Sequence, residues 1–194
     1  MNHIKSDQVV DAKGLSCPMP IVKTKKAITD LEAGQVLKVE ATDQGSRADM
    51  QAWAKSSGHQ YLGTIKDGDV LAHYVRKSSG EELNEKKYPH IATNEELERK
   101  LLVKDNIVVL DVREAAEYAF NHIPNALSIP LGELEEHFHE LEKDAEIFVI
   151  CRTGNRSDFA AQKLAEKGFG KVMNVIPGMS EWSGRTVNIQ GEEV

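Results

Sequence analysis

The chain of 194 residues contains only two cysteines, Cys17 and Cys151, and no apolar run that approaches the length of a membrane-spanning helix. Two thiols are too few for a disulfide framework or for a four-cysteine zinc site. A spanning helix needs about 20 apolar residues, and the N-terminal sequence MNHIKSDQVVDAKG lacks the apolar core of a signal peptide. We therefore expect no membrane contact and a cytoplasmic location, where a permanent bond between the two cysteines is disfavoured.

Aromatic residues make up only 6% of the chain, and acidic residues outnumber basic ones, which gives a net charge of −7. The charge is uneven, because residues 1–77 carry +2 and the remainder carries −9. Neither part is basic enough to indicate direct nucleic-acid binding. No nucleotide or flavin motif occurs, and the histidines of His137-x-His139 do not share a helical face, so we expect no cofactor and no metal.

The segment IFVICRTGNRSDFAAQKLAEKG, residues 147–168, has the pattern of a strand, a tight loop and a helix. The β-prone run Ile147–Ile150 predicts a buried parallel strand, and Ala160 and Leu164 belong to an apolar helical stripe. Cys151 therefore lies where a strand ends and a helix begins. Free amides of the loop and of the first helical turn form an anion-binding nest at such a position, which favours the thiolate form.

The loop after Cys151 supplies candidate anion-binding groups. Two arginines add positive charge, and a Gly-Asn pair can adopt the backbone angles of a tight turn. A phosphatase loop of the Cys-x5-Arg type would need an arginine where this chain has a serine, so the spacing argues against phosphate chemistry. A buried, inert cysteine is the alternative interpretation. The predicted site consists of the nucleophile Cys151 and the binding residues Arg152, Thr153, Gly154, Asn155, Arg156 and Ser157.

The motif CRTGNRS resembles the active-site loop of the rhodanese family, sulfurtransferases that carry a persulfide on this cysteine. The resemblance extends over residues 88–188. LDVRE matches one family motif and implies an ion pair between Asp111 and Arg113. HIPNALSIP matches another, although Asn121 and Asn125 replace the usual glycines. Because asparagine tolerates left-handed backbone angles better than most residues, we expect both positions to keep that conformation.

Cys17 lies in the sequence GLSCPMPIVKTKK, where Pro18 suits the first position of a helix. Cys17 would then occupy the N-cap, and the helix dipole would favour its thiolate. Lys23, Lys25 and Lys26 follow in the first turns of this helix. They form either a solvated face or an electropositive collar for an anionic sulfur group or an acidic partner.

The CPMP motif resembles the Cys-Pro-x-Pro signature of the TusA/SirA-like family of small sulfur carriers. Asp11, Gly14 and Leu15 precede the cysteine as they do in that family, and the resemblance covers residues 7–77. Apolar patterns predict strands and helices in the order βαβαββ. The dipeptide Asp67-Gly68 indicates a hairpin between the last two strands.

The two resemblances imply an α/β protein with two domains. Residues 1–77 are expected to form a TusA-like βαβαββ two-layer sandwich. Residues 78–87, rich in serine and charge, are expected to be a linker. Residues 88–194 are expected to form a rhodanese domain, an open parallel sheet flanked by helices that binds ligands at the carboxyl ends of its strands.

The resemblances further imply an enzyme, a sulfurtransferase of the thiosulfate or rhodanese type. Cys151 would take sulfane sulfur from thiosulfate or a protein persulfide and exchange it with Cys17, which serves a thiol or protein acceptor. The expected partners are a small sulfur donor such as thiosulfate and other sulfur-carrier or cysteine-persulfide proteins. One alternative is a non-catalytic redox or sulfide sensor that switches through a Cys17–Cys151 disulfide. Another is that the first domain is a docking module for sulfur-delivery partners.

Overall fold

The computed structural model describes residues 4–78, 87–103 and 106–194. The chain divides into two compact units, residues 1–80 and 81–194. Each unit has its own sheet and its own buried apolar cluster. Most of the linker predicted at 78–87, namely residues 79–86, lies outside the described residues. In the described part of the chain, no helix combines the length and apolar character needed to cross a bilayer.

The first unit contains a four-stranded sheet with two helices, and the predicted βαβαββ order is confirmed. The strands lie in the order β1-β2-β4-β3, with β1 parallel to β2 and the other pairs antiparallel. The elements are β1 Gln8–Ala12, α1 Met19–Asp30, β2 Val36–Ala41, α2 Ser46–Ser56, β3 Gln60–Asp67 and β4 Val70–Arg76.

Both helices of the first unit pack on the sheet and on each other, which makes a two-layer sandwich. Ile28, Met50 and Trp53 pack in one cluster with Leu37 and Val39 of the central strand β2. The apolar spacing of α1 and α2 therefore buries one stripe of each helix, as a surface helix requires.

The second unit contains a five-stranded sheet in the order β5-β9-β8-β6-β7, and every strand pair is parallel. This confirms the predicted open parallel sheet with flanking helices. The strands are β5 Ile91–Thr93, β6 Ile107–Asp111, β7 Leu127–Ser128, β8 Glu146–Ile150 and β9 Val172–Ile176. The helices are α3 Asn94–Leu102, α4 Ala115–Phe120, α5 Leu134–His137 and α6 Asn155–Glu166.

The central strand β8 buries both of its faces, which explains its unbroken apolar sequence. Ile147 and Val149 pack in one cluster with Leu164 of α6, whereas Phe148 and Ile150 pack in a second cluster with Leu97 of α3. Successive side chains of a strand point to opposite faces, so the two clusters lie on the two sides of the sheet. Cys151, the residue after Ile150, therefore points to the side of the sheet that α6 covers, and it packs in the same cluster as Leu164.

Two local predictions in the second unit are wrong. The apolar spacing of Leu131, Leu134, Phe138 and Leu141 predicts one amphipathic helix, but α5 is a single turn followed by a 3-10 turn at Phe138–Glu140. The Leu131 amide donates to the carbonyl of Val112, so the chain is still bound to the sheet there. Asn125 has the expected left-handed angle, with φ of 64°, whereas Asn121 is extended, with φ of −157°.

Candidate active site

Cys151 follows the carboxyl end of the central strand β8, and α6 begins four residues later at Asn155. Gly154 precedes the helix with a left-handed φ of 90°, which turns its amide toward the sulfur. That amide donates to Cys151 Sγ at 3.1 Å, and the hydroxyl of Ser157 lies 3.3 Å from the same atom. Cys151 is fully buried, so its sulfur lies beneath the loop and is not exposed to solvent.

Asn174, a buried residue of β9, is hydrogen-bonded to the cysteine loop and to the first turn of α6. Asn174 accepts from the Ser157 hydroxyl at 2.6 Å and donates through Nδ2 to the carbonyl of Gly154 at 3.1 Å. The hydroxyl has one proton, so Asn174 Oδ1 at 2.6 Å and the sulfur at 3.3 Å are alternative acceptors for it. Sequence reasoning missed Asn174, although a polar residue inside the apolar strand VMNVI was an available signal.

Asp158 connects Asn174 to the first residues of the second unit that the structure describes. Asp158, on the first turns of α6, lies 3.4 Å from Asn174 Nδ2. Its carboxylate accepts the backbone amides of Lys87 and Tyr88 at 2.9 to 3.1 Å. The chain that enters this unit is thus hydrogen-bonded to the helix that carries the cysteine loop.

The turn after β9 fixes the backbone on the other side of the cysteine. The amides of Met179 and Ser180 donate to the carbonyls of Cys151 and Arg152, each at 2.9 Å. Gly178 makes this approach possible, because it has φ of 84° and a Cβ there would lie 2.5 Å from the Cys151 oxygen. Any other residue at this position would push the loop away from the turn.

Arg156, predicted to bind the donor, is paired with a carboxylate in the structure. Its guanidinium makes a bidentate ion pair with the fully buried carboxylate of Glu117. Nη1 donates to Oε2 at 2.6 Å, and Nη2 donates to Oε1 at 3.0 Å. Glu114 lies 3.9 Å away. Burial opposes the charged guanidinium, but Glu117, the thiolate of Cys151 and Glu114 outweigh it and raise the pKa of Arg156.

A second buried ion pair supports the same region. Arg113 and Asp111 are bonded at 2.6 Å, and both are almost fully buried. The remaining donors of Arg113 bind the side chain and the carbonyl of Asn121. Because Asn121 is held by its carbonyl in an extended conformation, it does not adopt the left-handed turn that we expected there.

The predicted site residues therefore divide into three groups. Cys151, Gly154 and Ser157 are in direct contact around the sulfur. Asn155 is buried at the first position of α6, and Arg152 and Thr153 are partly exposed. Arg156 is directed to Glu117.

Cys17 has surroundings different from those that its sequence suggested. It is exposed, its peptide bond to Pro18 is cis, and α1 begins at Met19, one residue later than predicted. The amide of Cys17 donates to a carboxylate oxygen of Asp43 at 3.1 Å. A hydrogen bond from the thiol to Asp49, partial desolvation and the negative charges of Asp49 and Asp43 raise the pKa of Cys17.

The expectation that the helix dipole makes Cys17 a ready thiolate is therefore wrong. The dipole effect of an exposed helix end is small, and two carboxylates close to the sulfur reverse it. Lys23, which we considered for an electropositive collar, instead donates to the carbonyl of Asp11 at 2.9 Å. Lys25 and Lys26 are exposed.

His73 and His122 have structural surroundings. His73 is fully buried between Ser46, Tyr61 and Thr64, and burial lowers its pKa to about 4. His122 binds the carbonyl of Tyr118 at 2.8 Å and stacks on its ring. Among the residues that the structure describes, no group of three or more His, Cys, Asp or Glu could hold a metal ion.

The second unit, a parallel sheet with a cysteine in an amide-lined loop at its central strand, has the arrangement of a rhodanese domain, and the first unit is a CPMP-bearing sandwich of the TusA type. Family models agree. "Sulfurtransferase TusA" matches residues 8–77, and "Rhodanese-like domain" matches residues 93–185. The chain belongs to these families, as a TusA domain followed by a rhodanese-like domain, and its general activity is sulfur transfer.

Relatives cover both the whole chain and its parts. "Putative sulfur carrier protein YrkF" of Bacillus subtilis (strain 168) is 50% identical over 185 residues, which is 94% of this chain and 99% of the relative. The protein YrkI of the same organism, described in the same words, is 55% identical over 38% of this chain and 99% of its own length. The thiosulfate sulfurtransferase GlpE of Coxiella burnetii (strain RSA 331 / Henzerling II) is 36% identical over 43% of this chain and 78% of its own length.

Proposed function

We propose that the chain is a two-cysteine sulfurtransferase in which Cys151 takes up sulfane sulfur and Cys17 hands it on. The observation that carries this proposal is the sulfur of Cys151 at the N-terminal end of α6, where it accepts the Gly154 amide at 3.1 Å. An amide and a helix end directed at one sulfur stabilise an anion at that place, whether a thiolate or a persulfide. The exposed Cys17 suits exchange with a protein partner.

The chemistry consists of two thiol exchanges in which charge and atoms balance. The Cys151 thiolate attacks the outer sulfur of thiosulfate, the donor S–S bond breaks, and sulfite leaves with its electron pair while a Cys151 persulfide anion remains. A persulfide donor would instead release a thiolate. Transfer onward follows when the thiolate of Cys17 attacks the outer sulfur of that persulfide and regenerates the Cys151 thiolate.

The name of the GlpE relative makes thiosulfate the first donor to test. Intact mass spectra would be recorded after brief incubation with thiosulfate, for the parent chain and for Cys151→Ser and Cys17→Ser. We expect a reducible gain of one sulfur atom that disappears in Cys151→Ser. Sulfur on Cys17 only when Cys151 is present would support the internal transfer.

The same spectra test the sensor alternative. A loss of two hydrogens without any gain of sulfur would mean that the two cysteines form a disulfide, and the transferase proposal would then be rejected. A sulfur gain that persists in Cys151→Ser would also reject the assigned order, because Cys17 would then load independently.

A further inference from the structure

We infer that the Cys151 loop prefers a singly charged persulfide donor to the doubly charged thiosulfate, and that Glu117 sets this preference. The inference rests on the proposed function of Cys151 and adds the class of donor. Its basis is the charge balance around the loop. The loop CRTGNRS carries two arginines, and the structure pairs Arg156 with a buried carboxylate.

Glu117 compensates the charge of Arg156 before any donor arrives. Its carboxylate is fully buried and binds both terminal nitrogens of Arg156, at 2.6 and 3.0 Å. The same carboxylate accepts the amide of Glu114 at 3.0 Å, so α4 holds it in place. A buried, doubly bonded pair of this kind does not exchange partners readily, because either group alone would be left as an uncompensated charge.

The ionised groups next to Arg156 leave no excess of positive charge. The three carboxylates Asp111, Glu114 and Glu117 outnumber the two guanidiniums Arg113 and Arg156 by one. Arg152, which is partly exposed, brings this total to zero. The charged side chains of this group therefore supply no net positive charge to the loop, which leaves the amide dipoles to stabilise an anion.

The two donor classes place different charges in this site. Attack of the thiolate on thiosulfate gathers three negative charges around the sulfur, and sulfite leaves as a dianion. Attack on the outer sulfur of an alkyl persulfide anion gathers two, and a thiolate leaves. With no excess cation available, the additional charge of thiosulfate is opposed by the field of the carboxylates.

The test compares the two donors in one chain and in charge variants. The parent is the full chain with Cys17→Ser, so that sulfur is counted on Cys151 alone. The donors are thiosulfate and the persulfide of 2-mercaptoethanol, generated in situ because its tail is uncharged. The rate constant for a gain of one sulfur is measured by intact mass for each donor. The ratio of the two constants is compared between variants, which cancels the intrinsic reactivity of each donor.

Glu117→Gln removes one negative charge and retains a hydrogen-bond acceptor. We expect the thiosulfate-to-persulfide ratio to rise about tenfold, as a unit charge near the reacting atoms would produce. Glu114→Gln, farther from Arg156 and partly exposed, should raise the ratio less, and it keeps the inference testable if Glu117→Gln does not fold. The exposed Glu136→Gln on α5 is the matched control and should leave the ratio unchanged.

An unchanged or lowered ratio in both charge variants would overturn the inference. A disturbed loop slows both donors alike and does not alter the ratio. Absence of sulfur on Cys151 from either donor is a different result, because it would refute the proposed function itself.

Discussion

The hydrogen bonds between Asn174 and the Cys151 loop allow an estimate of what Asn174 contributes to the free energy of unfolding of the second unit. Replacement by leucine, of similar volume, removes the acceptor of Ser157 at 2.6 Å and the donor to the Gly154 carbonyl at 3.1 Å. The Gly154 carbonyl keeps the backbone amide of Asp158 at 3.2 Å as a partner, so the loss of the Asn174 bond costs about 0.5–1.5 kcal/mol. The lost bond from Ser157 adds about 1 kcal/mol, since that hydroxyl keeps the sulfur as an alternative acceptor. We expect Asn174→Leu to lower the free energy of unfolding of the second unit by about 1–3 kcal/mol.

The chain offers a way to measure that unit alone. It has two tryptophans, Trp53 in the first unit and Trp182 in the second. In a Trp53→Phe background, urea unfolding followed by tryptophan fluorescence reports on the second unit. Asn106→Leu, at an exposed position before β6, is the matched control and should change the unfolding free energy by less than about 0.5 kcal/mol. A loss below that value for Asn174→Leu would refute the assigned role.

The thiol of Cys17 should respond to the neighbouring carboxylate. Asp49→Asn removes the leading cause of its raised pKa, so the pH midpoint of Cys17 alkylation should move to lower pH in a Cys151→Ser background. His73, whose folded-state pKa of about 4 lies below its ordinary 6.5, should make the first unit less stable as pH falls from about 6.5 to about 4, because the unfolded chain binds the proton first. Gly178→Ala should destabilise the second unit by more than about 2 kcal/mol and suppress sulfur loading, because its Cβ would meet the Cys151 carbonyl at 2.5 Å.

Each of these predictions has an outcome that would contradict it. A Cys17 midpoint that stays in place or rises in Asp49→Asn would contradict the assigned charge effect. The pH dependence of the first unit, followed by Trp53 fluorescence in a Trp182→Phe background, should become shallower in His73→Gln, and an equal slope would contradict it. Gly170→Ala, at a glycine without neighbours within 4 Å of an added Cβ, should be tolerated, and equal effects of the two alanines would contradict the steric argument.

Local patterns were enough to predict the order of elements. The four-residue run Ile147–Ile150 is apolar throughout because both faces of β8 are buried. Thr93 and Glu96 have the sequence spacing of a capping box, which predicts the start of α3, and the structure forms both bonds of that box. The loop after Cys151 was also accessible from sequence. Its glycine, its small polar residues and its place between a strand and a helix are local properties.

The electrostatic surroundings of both cysteines were not accessible in the same way. Cys17 is bonded to Asp43, 26 residues along the chain, and Arg156 to Glu117, 39 residues away. A dipole argument for a helix end considers only its own turn, so it predicted the wrong direction for the pKa of Cys17. The tertiary structure is needed to show which charged groups lie near each thiol. The packing of α2 on α1 places acidic groups near Cys17, and α4 brings Glu117 to Arg156 of α6.

The burial of Cys151 has a consequence for how long a bound sulfur atom survives. Persulfides are discharged by bulk thiols in proportion to access, and the sulfur of Cys151 has no exposed surface, whereas Cys17 is open to solvent. Soluble reductants would therefore strip sulfur from Cys17 much faster than from Cys151. If both cysteines carry sulfur as proposed, Cys151 suits storage and Cys17 suits release, and the ratio of the two persulfide lifetimes would set how long loaded protein persists before it meets an acceptor.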